Sequence, residues 1–145
     1  MMAEFPVIIA SLKDQLIRDE ELRLHPYKDS GGKLTIGVGR NLDDVGISQE
    51  EAELLLANDI NAATVALEAN FSWAMGLDDV RKAALLNMTF NMGVRGLGQF
   101  KDFLAKMQAK DFRAAAGAML DSLWARQVGN RATRLSMQIE SGFWQ

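Results

Sequence analysis

Residues Arg18–Arg40 read RDEELRLHPYKDSGGKLTIGVGR, and this stretch decides how the rest of the chain is organised. It opens on the end of a helical pattern, passes an X-Pro step, and continues as two short extended runs about a glycine turn. Upstream of it, Pro6 suits a first helical position, and Val7, Ile9, Leu12, Leu16 and Ile17 recur near helical spacing. A helix should therefore run to about Glu20. Pro26 disfavours helix at His25 and starts an extended segment. Tyr27–Asp29 and Lys33–Val38 read as strands joined by Ser30-Gly31-Gly32, a small antiparallel hairpin. Gly37 and Gly39 alternate with Ile36 and Val38, which implies a bulge or another stretch of chain passing close to the backbone.

Beyond the hairpin, Asn41–Ile47 is a loop with room for a third short strand. Ser48-Gln49-Glu50-Glu51 has the form of a capping box, so a helix starts after Ser48. Ala52, Leu55, Leu56, Ile60, Ala63 and Leu67 keep its period for about twenty residues, a rod near 30 Å that can link two lobes. Phe71–Gly76 breaks the pattern. Asp78 can cap a helix from Asp79 to about Met92, rich in apolar positions and expected to be the central buried one. Gly93, Gly96 and Gly98 punctuate a short connection. Helices are then expected over about Phe100–Gln108, Phe112–Leu120, Asp121–Arg126 and Asn130–Ser141. Strands are few and clustered early, which makes the fold class α+β: a small β-hairpin lobe and a larger all-helical lobe joined by a long helix, with a cleft between. The expected organisation is a single domain over residues 1–145, with a small lobe over about 20–60 and a helical lobe from 1–19 and 61–145.

Composition narrows the chemistry. A chain of 145 residues can build a core without staples. It has no cysteine, so no disulfide framework, thiolate metal site or cysteine nucleophile is available. One histidine, His25, excludes any scheme that needs two imidazoles. No cofactor and no metal is called for. A net charge of −3 offers no footprint for nucleic acid. No run of about twenty apolar residues exists, so no stable membrane insertion is expected. The start lacks the basic beginning and long apolar centre of a secretory signal, so synthesis in the cytoplasm is expected. Charge is uneven: residues 1–80 carry 6 basic and 15 acidic side chains, while residues 81–145 carry 10 and 4. That asymmetry fits an acidic part facing a basic part, a basic surface for an anionic ligand, or merely solvated helix faces.

Glu20, Asp29 and Thr35 stand at a helix end, a turn and a strand, three places that can converge. Two carboxylates and a hydroxyl suit hydrolysis of a glycosidic bond, which needs a proton for the leaving oxygen and a carboxylate that serves water on the other side of the sugar. Glu20 suits the acid, because a helix C-terminus disfavours added negative charge and Asp19 and Glu21 lie beside it. Asp29 on a polar turn suits the ionised partner, and Thr35 can hold a water, since a hydroxyl both donates and accepts. By itself the spacing Glu-x8-Asp-x5-Thr is a weak signal, because composition alone will often produce it.

Glu-x8-Asp-x5-Thr followed directly by Ile-Gly-Val-Gly resembles the signature of the phage-type lysozymes, glycoside hydrolase family twenty-four. The resemblance covers roughly residues 16–144. It continues through LRL-x2-YKD before the hairpin, Ile47–Ala63 as the inter-lobe helix, VRKAALLNMTFNMG as the central helix, Asn130-Arg131-Ala132, and the closing Ser141-Gly142-Phe143-Trp144. It implies a muramidase that cuts the β-1,4 bond between N-acetylmuramic acid and N-acetylglucosamine in bacterial peptidoglycan and so lyses bacteria. By the same carry-over Glu20 is the general acid, and Asp29 with Thr35 positions the attacking water. The reaction is expected to invert, with carboxyl groups roughly 6.5–9.5 Å apart. Arg131 matches an arginine that reaches the catalytic glutamate, and Phe90 and Asn91 match glycan contacts, although Phe90 also reads as simple core. Peptidoglycan strands are the implied partner, a monomer is the default, and a holin would open the route from the host cytoplasm to the wall. Four departures stand out: Arg40 replaces the usual histidine, Glu21 replaces the common glycine after the acid, the loop from Asn41 to Gly46 is shorter, and the chain is acidic overall. Two other readings remain open, a lytic transglycosylase using one acid and a non-catalytic peptidoglycan-binding domain; the retained trio argues against both.

Overall fold

The computed structural model describes residues 4–145, with side chains described from Ile9 onward. The elements run α1 (Glu4–Glu20), β1 (Arg23–Lys28), β2 (Leu34–Gly37), β3 (Arg40–Asn41), α2 (Gln49–Asn70), a 3₁₀ turn (Ser72–Gly76), α3 (Asp79–Gly98), α4 (Lys101–Gln108), α5 (Phe112–Leu120), α6 (Leu123–Val128) and α7 (Asn130–Ser141). This is an α+β chain: a helix, a three-stranded antiparallel sheet, then a mostly helical region. It divides into two compact units, Met1–Glu53 and Leu54–Gln145, with α2 passing from one to the other.

In the first unit α1 ends where expected, and the cause is local. Glu21 takes a left-handed backbone with φ of 64°, which the helix cannot continue through. Glycine adopts that conformation without the Cβ penalty, so a glycine here, as the resemblance leads one to expect, would carry less strain than Glu21 does. The extended run starts at Arg23, earlier than the Tyr27 start expected from Pro26. Proline is tolerated there because β1 is an edge strand, in order β1-β2-β3, and its pairing with β2 is irregular between Arg23 and Tyr27. Thr35 lies at the centre of the sheet, opposite Tyr27 on one side and Asn41 on the other. The third strand is two residues long and is prolonged by Leu42 donating to the Leu34 carbonyl at 2.7 Å. The capping box before α2 is formed: Glu51 N donates to Ser48 Oγ at 3.1 Å and Ser48 N to Glu51 Oε1 at 3.0 Å.

The second unit folds around a continuous apolar core that includes Leu67, Leu85, Met88, Leu97, Phe103, Met107, Met119 and Ile139. Phe100 stands edge-on to both Phe103 and Trp124, the favoured arrangement for ring quadrupoles. Asp78 caps α3 through Arg81 N at 3.1 Å, as its position predicts. The helix runs six residues past Met92 but breaks at Gly93, whose φ of 77° and ψ of 163° are not helical, so the expected boundary survives as a kink. Arg81 ties α3 to the end of α7. Its Nε donates to the Ile139 carbonyl at 2.6 Å and its Nη2 to that of Glu140 at 3.0 Å, while the guanidinium lies 3.8 Å over the Phe112 ring. Gly142 then ends α7 in the left-handed region, where a Cβ would meet Arg81 at 3.0 Å. α5 and α7 have the expected bounds. α6 starts two residues later than expected because Ser122 serves as its cap, accepting from Ala125 N at 3.1 Å.

Candidate active site

Asp29 begins the turn after β1 and is held on every backbone side. Its amide donates to the Lys33 carbonyl at 2.9 Å, and its own carbonyl accepts from Gly32 N at 2.9 Å. Its Oδ1 accepts from Gly31 N at 2.9 Å and Lys33 N at 2.8 Å. An aspartate bonding the amides two and four residues ahead fixes both the turn and its own rotamer. The other oxygen, Oδ2, has no partner among the described residues, so it is left to accept from outside the chain. Gly31 contributes by closeness: a Cβ there would stand 3.4 Å from Oδ1.

Thr35 is buried, and its Oγ1 donates to the Lys33 carbonyl at 2.9 Å. That carbonyl thus joins the Asp29 backbone and the Thr35 hydroxyl through one atom. The bond also settles the hydroxyl's remaining capacity. Its only proton is committed, so towards any further partner Thr35 acts as an acceptor.

Glu20 is the last residue of α1 and is exposed, with no hydrogen-bond donor on its carboxyl among the described residues. What lies against it is backbone. A Cβ built on Gly39 would be 3.0 Å from Glu20 Oε2 and 3.4 Å from its Cδ. Gly39 has a φ of 68° and sits in the two-residue turn between β2 and β3. The close approach that its sequence position implies is thus real, but the neighbour is the Glu20 side chain and not another backbone. The fold brings Glu20 against the β2–β3 turn, and Asp29 and Thr35 together on Lys33, all within the first unit.

Arg40 follows Gly39 and is half-buried. Its Nη1 donates to Glu51 Oε1 at 2.7 Å and to the Gly46 carbonyl at 3.1 Å. The Arg40 hydrogen bond, with the Ser48 amide behind it, holds the Glu51 carboxyl down at about 2, and Glu51 in turn raises the Arg40 guanidinium further above its usual range. Sequence reasoning marked Arg40 as a departure and Glu51 as a cap; it did not pair them, because the partners come from a strand and a helix start eleven residues apart.

In the second unit Phe90 is 48% exposed, which overturns the reading of it as simple core. It lines a groove of about 380 Å³ with Leu56, Ile60, Leu86, Asn87 and Arg131. Arg131 is oriented by Asn87: Nε donates to Asn87 Oδ1 at 2.9 Å and Nη2 to its carbonyl at 3.4 Å. Asn91 accepts from Trp124 Nε1 at 2.7 Å. Indole nitrogen only donates, so the Asn91 oxygen is the atom that faces Trp124 and its NH₂ remains as a donor. Neither Asn87 nor Trp124 stands out as a site residue from spacing alone.

Comparison with known proteins bears on what this arrangement does. The family profile described as "Phage lysozyme" matches residues 18–138, a span that begins just before Glu20 and includes all six residues above that are expected to act on substrate. "Probable T4-type lysozyme 1" of Dictyostelium discoideum is 33% identical over an alignment of 164 positions covering 93% of this chain and 96% of that protein. The "Pre-baseplate central spike protein Gp5" of Enterobacteria phage T4 is 32% identical over 91% of this chain and 28% of its own length. "SAR-endolysin" of Escherichia phage Mu is 27% identical over 91% of this chain and 77% of its own. With the α+β architecture and the carboxylates in hand, the chain belongs to the phage lysozyme family of glycoside hydrolases.

Proposed function

We propose that the protein is a muramidase that hydrolyses the β-1,4 bond between N-acetylmuramic acid and N-acetylglucosamine in peptidoglycan with inversion, and that it lyses bacteria once it reaches the wall. The observation that carries this reading is the division of labour around Lys33: Thr35 is fixed as an acceptor, and Asp29 keeps one oxygen without a partner among the described residues. A water between two acceptors must donate both of its protons, one to Thr35 Oγ1 and one to Asp29 Oδ2. Its lone pair then points away from the protein, towards an anomeric carbon. Glu20 delivers its proton to the leaving oxygen as that water attacks. The C–O bond breaks, a new one forms on the opposite face, and the water's proton passes to Asp29. Phe90 supplies an apolar face, and Asn91 and Arg131 supply donors, as glycan contacts.

The test is digestion of purified peptidoglycan followed by mass analysis and early-time NMR of the anomers. Products heavier by one water with the α-anomer first support the proposal. Anhydro-sugar products would point to a transglycosylase, and binding without new reducing ends to a non-catalytic domain.

A further inference from the structure

We propose that Arg40 and Glu51 form a clamp that positions Gly39, and through it the Glu20 carboxyl; the kinetic part of this rests on Glu20 being the acid. Gly39 is the backbone against which Glu20 lies, and it belongs to a turn whose far side is β3, an edge strand only two residues long. Pairing of Ile36 with Arg40 and Thr35 with Asn41 is a thin hold on that strand. The Arg40 side chain supplies what the strand lacks. It reaches back to the Gly46 carbonyl and to Glu51, and Glu51 is already locked by its two bonds with Ser48. One nitrogen of Arg40 therefore fastens the β2–β3 turn to the loop after it and to the start of α2.

Most solvent-exposed ion pairs contribute little to stability, and at side-chain exposures of 39% and 43% this one is partly open to water. Its value would lie in geometry. A displacement near 1 Å at a catalytic group can cost about a hundredfold in rate. The guanidinium cannot lose its charge in any working range, so the clamp holds across neutral and alkaline pH, where a histidine would release it.

The experiment uses the full chain and compares Arg40→Met, Glu51→Ala, the double variant and Arg40→Lys on solubilised peptidoglycan strands. Each single change is expected to lower kcat about tenfold or more with KM kept within about twofold. The double variant should be no worse than either single, and Arg40→Lys should recover most of the rate. Amide exchange at Leu42, which reports closure of β3 on β2, should quicken about tenfold in Arg40→Met while Leu85 and Met88 stay unchanged. Should Arg40→Met lose the sheet altogether, Glu51→Ala carries the test, because it removes the acceptor for Arg40 while the backbone amide at 51 can still donate to Ser48 Oγ. Unchanged kcat in both singles, losses that add in the double, or unchanged Leu42 exchange would overturn the clamp. Full activity in Glu20→Gln would instead overturn the acid assignment, and the Leu42 exchange would still judge the clamp.

Discussion

The two units of this chain are built on different physics. Among the described residues every buried apolar one, from Leu67 to Ile139, belongs to the second unit, whereas Thr35 is the one buried residue in the first. The first unit is shaped instead by backbone. Glu21, Gly32, Gly37, Gly39 and Gly46 take left-handed conformations within 26 residues, and the ninety-two residues of the second unit contain four such positions. Apolar burial gives the helical unit its stability, roughly in proportion to area removed from water. Turns, caps and a few charged hydrogen bonds give the sheet unit its precision. The carboxylates expected to do chemistry sit in the second kind of environment, where oxygens can stay free without being buried unsatisfied.

If that contrast holds, damage to the core should read out as stability and damage to the sheet as rate. Leu85 is fully buried, so Leu85→Ala should lower unfolding free energy by about 2–5 kcal/mol while leaving kcat per folded molecule within about twofold. Denaturant titration and active-site-normalised kinetics separate the two. Thr35→Val keeps the shape but removes the acceptor proposed for the water; kcat should fall about tenfold or more, and stability by only about 1 kcal/mol. A fall in stability as large as that of Leu85→Ala would erase the distinction.

Acid titration probes the sheet unit through Glu51. Its folded value of about 2 lies below its ordinary 4.5, so its stabilisation is fully present above 4.5 and is lost as pH falls towards 2. The gap in unfolding midpoint between the wild type and Glu51→Gln should therefore close over that window; a constant gap would mean that charge is not the cause. The smallest effect concerns Glu21. Glu21→Gly relieves the left-handed penalty but loosens the unfolded chain, leaving a gain of at most about 1 kcal/mol. Loss of stability on that change would show that the Glu21–Arg23 contact at 3.4 Å matters more than the backbone does.

The same contrast explains what could be read from the sequence. Helices of the second unit announce themselves through period and caps, and α5 and α7 fall where the pattern puts them. α6 is displaced only because the Ser122 cap outweighs the apolar pattern. The candidate carboxylate–hydroxyl trio stands out in the sequence because its spacing comes with a strand and glycines that resemble a family. The left-handed Glu21 is not legible, since nothing in a glutamate signals positive φ. Nor is the Arg40–Glu51 pair, which depends on how a loop folds back. Gly39 lies between these cases: its type signals a close approach, and only the fold reveals that Glu20 is what approaches.

In the proposed reaction Glu20 gives the proton that breaks the glycosidic bond. The most direct measurement is release of reducing ends from purified peptidoglycan by the wild type and by Glu20→Gln, whose amide keeps the shape but has no proton to give. A loss of about 10²–10⁴-fold in kcat is expected, with KM unchanged and the unfolding midpoint not lowered. Activity in Glu20→Gln within tenfold of the wild type would contradict it.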